Sequence, residues 1–128
     1  FFSASDTNLT EAKRELSDIE GLVQSEDPSA GDKLVSLGEA YLPVSAEVQA
    51  QHKWLKKLQE KLEASGQEDL ASAVKSKSEF AKKLSTFYES ISLMAADAKE
   101  IENAIKEADG LLLEYGKLTE QEDTGTPN

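Results

Sequence analysis

The fold class that the sequence predicts is all-α, an elongated antiparallel three-helix bundle or coiled coil with a long third helix, and three features predict it. Apolar residues recur at alternating steps of three and four along most of the 128 residues, the spacing that lines one face of a helix. Only three prolines punctuate the chain. The composition, 38% apolar and 30% charged, fits a thin core beneath broad solvated faces and carries too regular a pattern for a disordered chain. At this length a single domain covering 1–128 is expected.

The first helix is expected over about 8–24. Asn8 and Glu11 have capping-box spacing, and Leu9, Ala12, Leu16, Ile19 and Val23 then fall on one face. The segment from Ser25 to Gly31, with Pro28 inside it, ends that helix. A connection this short makes the next helix an antiparallel neighbour.

The second helix is expected over about 32–64. Its register runs through Leu34, Leu37, Tyr41, Val44, Val48, Gln51, Leu55, Leu58 and Leu62. The register passes Pro43 without a change of phase, which predicts a kink there, since proline removes one backbone hydrogen bond and crowds the preceding turn. Ser65 and Gly66 terminate the helix, and Gln67, Glu68 and Asp69 open the next with acid where the helix dipole favours it.

From Leu70 through Ala73, Lys77, Phe80, Leu84, Phe87, Ile91, Met94, Ala98, Ile101, Ile105, Ala108 and Leu112 to Tyr115 the rhythm continues with no proline. It predicts a third helix over about 67–118, roughly 75 Å long at 1.5 Å per residue. The alternative is a compact four-helix bundle with a break near Ser90–Met94, where serines offer caps. The polar tail, 120–128, is expected to be disordered.

Composition narrows the chemistry. A formal net charge of -11 repels phosphates and anionic lipid, so nucleic acid is excluded as a partner of the whole surface and a membrane is disfavoured. The chain has no cysteine, which removes disulfides, thiolate metal sites and a cysteine nucleophile; it favours a cytoplasmic location slightly and leaves a secreted one open. No apolar run approaches the length of a membrane span. Phe1 to Ser5 holds no targeting segment and reads as a boundary of unknown origin.

Catalytic, cofactor and metal sites are all expected to be absent. His52 is the single histidine, too little for a triad or a carboxylate-histidine zinc site. Glu100, Glu102, Glu107 and Asp109 read as a solvated helix face, with no EF-hand loop around them. The glycines are scattered singly and form no phosphate loop. Asn8-Leu9-Thr10 is a glycosylation sequon in which Asn8 is equally explained as a cap. Phe80, Phe87 and Tyr88 read as core.

The three-helix heptad layout with a lone tryptophan resembles a spectrin-type repeat, and the long kinked helices resemble a BAR module. Trp54 falls in the second helix rather than the first, and the chain is short for a BAR protomer, so no family is assigned.

Charge is segregated along the chain. Residues 53–83 carry a net +3, whereas 1–52 and 84–128 each carry -7. Folding at Ser65-Gly66 would gather Lys53, Lys56, Lys57, Lys61, Lys75, Lys82 and Lys83 at one end as a basic tip for a protein partner, with an acidic surface as the natural match. Trp54 is a candidate interface anchor. Ile101, Ile105 and Leu112, on a third helix that outruns the other two, form a candidate homodimer surface. The functional expectation is a non-enzymatic interaction or scaffold module, such as a coiled-coil segment of a larger cytoskeletal or trafficking protein. The alternatives are a secreted or surface carrier of lipid or another apolar ligand and a BAR-like membrane-binding dimer.

Overall fold

A computed structural model describes residues 4–124, and the side chains of 4–120. The described chain is all-helical: α1 (Ser5–Gln24), α2 (Ala30–Ala64), α3 (Glu68–Leu93) and α4 (Ala98–Thr124). Tight reversals join them, so neighbours in sequence run antiparallel. α2 and α3 make the most extensive contact and α1 with α4 the next, giving two close pairs.

The predicted face of α1 is its buried face: Leu9, Ala12, Leu16 and Ile19 lie in the core, with Val23 half-buried beside them. Its start differs from expectation. The Asn8 N–H donates to the Ala4 carbonyl at 2.9 Å, so Asn8 sits inside the helix and does not cap it; Ala4 precedes the first residue without a side-chain cap bond. Asn8 instead offers its own carbonyl to the Tyr41 hydroxyl at 3.2 Å.

α1 and α2 end in the same way. After α1, the Glu26 and Asp27 N–H groups donate to the carbonyls of Val23 and Leu22; after α2, those of Gly66 and Gln67 donate to Glu63 and Leu62. Both are Schellman caps, which need one residue in the left-handed region. Gly66 takes it with φ 79°, as the sequence predicts, but at the first cap it is Glu26, with φ 58°. A side chain there costs about 1–2 kcal/mol that glycine avoids. Glu26→Gly is therefore expected to stabilise the fold by about 1 kcal/mol in urea unfolding, and a loss would show that the turn does not adopt this conformation. Asp27 then shapes the entry to α2. Its Oδ1 accepts the Ser29 N–H at 2.8 Å and hydroxyl at 2.7 Å, and these bonds hold its carboxyl below the usual range.

α2 continues through Pro43 as one helix with the proline on its solvent side. There the missing N–H and the ring crowding are accommodated without ending the helix.

The expected continuous third helix is not what forms. The chain leaves the helix after Leu93, Met94 is extended (φ -77°, ψ 140°), and α4 starts at Ala98. The cause lies at Asp97 and Glu100. Asp97 Oδ1 accepts the Lys99 N–H at 3.1 Å, and Glu100 Oε2 reaches back to the Ala95 N–H at 3.0 Å. This is a variant of the capping box in which Glu100 accepts from the N–H two residues before Asp97 and not from Asp97 itself, satisfying donors on both sides of the helix start. The apolar rhythm is unbroken across the reversal because both helices present their stripe to the same core. α4 also runs to Thr124, past the predicted end at 118; the rest of the expected disordered tail, 125–128, lies outside the described residues.

The α2–α3 pair meets along a seam of small and polar residues. Gly38 approaches Ser92 so closely that an added Cβ would lie 2.7 Å from the Ser92 Cα. Seven residues on, Ser45 Oγ donates to the Ser85 carbonyl at 2.8 Å. Another seven on, His52 Nδ1 lies 2.8 Å from the Ser78 carbonyl and 3.0 Å from the Ser78 hydroxyl. Equal seven-residue steps in opposite directions fix the antiparallel register. Large side chains fill the space between the pairs: Leu9, Leu16, Phe80, Leu84, Phe87 and Tyr88 are each at most 1% exposed. Tyr41 stacks on Tyr88 with ring centroids 5.3 Å apart and planes within 12°.

Candidate interaction surfaces

α1 is 20 residues long and α2 is 35. Because α1 turns directly into α2, it can flank only the first part of the longer helix. The far part of α2 and the facing start of α3 therefore carry side chains that α1 does not reach. Trp54 is 54% exposed there, and Lys53, Lys56, Lys57, Lys61 and Lys75 are exposed on the same part of the hairpin.

The predicted lysine cluster is thereby brought together in part. By the α2–α3 register, Lys61 lies near the turn, whereas Lys82 and Lys83 lie level with residues 48 and 47, about 20 Å back along the pair at 1.5 Å per residue. Lys83 is also engaged by Glu114 of α4 at 3.1 Å. The turn itself is acidic, with Glu63 and Glu68 beside a polar depression of about 420 Å³. With Lys75 lining the same depression, the lysines form a collar spread along about 20 Å of the hairpin from the turn backwards, and the basic tip expected from the sequence is not gathered at one end.

Trp54, Lys57 and Lys61 stand at i, i+3 and i+7, on a single exposed face of α2. Lys53 borders it. An indole with lysines beside it offers a flat apolar surface and several positive donors together, the composition of an interface anchor with a charged surround.

The candidate dimer residues on α4 are already used. Ile101 is fully buried, and Ile105 and Leu112 pack half-buried against the core. The reason is the reversal at 94–97, which folds α4 back along α1; Lys13 Nζ and Asp109 Oδ1 meet at 2.6 Å across that contact. On α4 the large apolar side chain facing solvent is Leu113, at 65% exposure.

One surface was not foreseen. α1 and α2 touch less closely than the other neighbours, leaving an open groove of about 610 Å³ between them. Ile19, Leu22, Leu37 and Ala40 supply apolar lining; Glu15, Asp18, Asp32 and Lys33 stand around it. Arg14, outside the lining, shares its charge among Glu11, Glu15 and Asp18 at 3.7–3.9 Å. The width of the α1 apolar stripe, with Leu22 beside Ile19 and Val23, is the one sequence signal for this groove, but helix separation cannot be read from it.

His52 is engaged in the α2–α3 seam through Nδ1, which donates to the Ser78 carbonyl in one ring tautomer and accepts the Ser78 hydroxyl in the other. Among the described residues no group of three or more His, Cys, Asp or Glu could hold a metal ion, and no helix is long and apolar enough to cross a membrane. Comparison of the chain with protein-family models, with curated proteins and with solved structures finds no match.

Proposed function

We propose that the chain is a non-enzymatic protein-interaction module, an elongated bundle whose docking element is the far half of the α2–α3 hairpin, acting as an antiparallel coiled coil. The observation that carries this reading is Trp54, 54% exposed on a face shared with Lys57 and Lys61 in a molecule of net charge -11. Exposing a tryptophan keeps a large apolar area in water, and burying it against a partner recovers about 25 cal/mol per Å². The lysine collar selects an acidic partner surface and speeds encounter with it, so binding should weaken as salt rises. The hydrogen-bonding side chains of the seam, Ser45, His52 and Ser78, are spent on holding two helices together, which supports a structural role. A scaffold segment within a larger cytoskeletal or trafficking protein is the biological setting this fits.

The test is photo-crosslinking. A benzoylphenylalanine placed at position 54 is expected to form discrete protein adducts in extract of the producing cells, whereas the same probe at Val35, also exposed, should not give them. Lys53→Glu, Lys57→Glu and Lys61→Glu together should remove those adducts. Adducts that are absent, or indifferent to charge reversal, would reject the reading.

A further inference from the structure

The Trp54 face and the α1–α2 groove lie on the same side of α2. Lys33, Ala40, Glu47, Trp54 and Lys61 follow one another at seven-residue intervals and are all exposed, so the stripe that edges the groove at Lys33 and Ala40 continues to the tryptophan. Leu37 of the groove and Trp54 are separated by about 25 Å along the helix at 1.5 Å per residue. Two surfaces placed this way on one face can be satisfied together by a second copy lying antiparallel, each presenting its Trp54 to the other's groove. We infer that the chain forms a closed two-fold homodimer of this kind.

Chemical complementarity selects this occupant. The groove offers an apolar lining from Ile19, Leu22 and Leu37, and three carboxylates, Glu15, Asp18 and Asp32, against one lining lysine, Lys33, with Arg14 beside Glu15 and Asp18 at the rim. The Trp54 face offers the converse, an exposed indole with Lys57 and Lys61. Between them the α2 face carries Ala40, Pro43 and Ala50 together with Glu47, all exposed. A two-fold axis near the middle of α2 makes the contact self-complementary, so each dimer has two identical docking sites and assembly stops there. The same two surfaces used once each, head to tail, would build open chains instead.

This inference rests on the reading of the Trp54 face as a docking element, and names its partner as a second copy. The test uses the purified chain in sedimentation velocity at several concentrations, in low and high salt. A dimer that dissociates on dilution and with salt, with no larger species, is expected. Trp54→Ala should weaken it at least about tenfold. Lys57→Glu with Lys61→Glu, or Asp18→Lys with Asp32→Lys, should each weaken it similarly, and all four changes in one chain should restore association because the charges are exchanged. All these positions are on the surface, so circular dichroism should report an unchanged helical fold. A chain that stays monomeric at high micromolar concentration, a dimer indifferent to these changes, or growth beyond the dimer would overturn the inference. A monomer that still crosslinks to other proteins through position 54 would leave the interaction-module reading intact; loss of both would remove the two together.

Discussion

Gly38→Val is expected to lower the unfolding free energy by about 3 kcal/mol, the upper end of what overpacking a tight contact costs. A Cβ at this position would lie 2.7 Å from the Ser92 Cα and 3.1 Å from its N and Cβ. Two of these are backbone atoms, so relief requires α2 and α3 to separate locally. The separation would reach Ser45 and Ser85 one heptad away, where a hydrogen bond of 2.8 Å depends on the same close approach. Gly38→Ala should cost less, since about 1 kcal/mol of helix propensity is returned when glycine is replaced by alanine. Gly110 provides the contrast. It lies inside α4 with nothing within 4 Å of an added Cβ, so Gly110→Ala should stabilise by about 0.5–1 kcal/mol. Urea unfolding of the three variants checks the seam: if Gly38→Ala gains stability as Gly110→Ala does, the close approach is wrong.

That seam explains which parts of the fold were legible. Leu9, Leu16, Leu34, Tyr41, Phe80 and Leu84 announce themselves because they face the space between the helix pairs, where large apolar side chains are required. Gly38, Ser45, Ser78 and Ser85 are equally interior, but a pattern search for apolar residues passes over them: the α2–α3 contact is closed by small groups and hydrogen bonds. Leu70 illustrates the converse. It continues the apolar rhythm, yet it is 55% exposed, while Ala71 beside it is buried. The end of α3 was written in the sequence as Asp97-Ala98-Lys99-Glu100 followed by Ile101, a capping-box signature overshadowed by the unbroken heptad phase. Of the interaction surfaces, charge segregation revealed the lysines and the lone Trp54 revealed itself. The level of each lysine along the hairpin, and the α1–α2 groove, depend on register and helix separation, which residue spacing alone does not specify.

Raising the pH from 10 to 12 is expected to remove about 2 kcal/mol of stability through Tyr41, with a further loss through Tyr88. Tyr41 is 8% exposed; its burial, and then the nearby Glu15 and Glu11 carboxylates, push its phenol up to about 12. Burial likewise raises the phenol of Tyr88, with the neighbouring Tyr41 adding to the effect. In the unfolded chain both lose their protons near the ordinary value of about 10, while the folded chain retains them. Above pH 10 the unfolded state thus binds fewer protons, and stability falls as pH rises. The contribution is fully present below pH 10 and is lost as pH climbs through the folded-state values; every tenfold difference in proton affinity between the two states corresponds to about 1.4 kcal/mol. Single substitutions separate the two hydroxyls at neutral pH. Tyr41→Phe gives up the bond to the Asn8 carbonyl and should cost about 1 kcal/mol, whereas Tyr88→Phe removes a buried hydroxyl that has no hydrogen-bond partner among the described residues and should gain about 1 kcal/mol. The double variant should unfold in alkali with a shallower dependence on pH than the parent, leaving lysine deprotonation and general charge repulsion, which both proteins share. Identical alkaline unfolding curves for the two would mean that the stacked tyrosines reach solvent and that the space between the helix pairs is not closed around them.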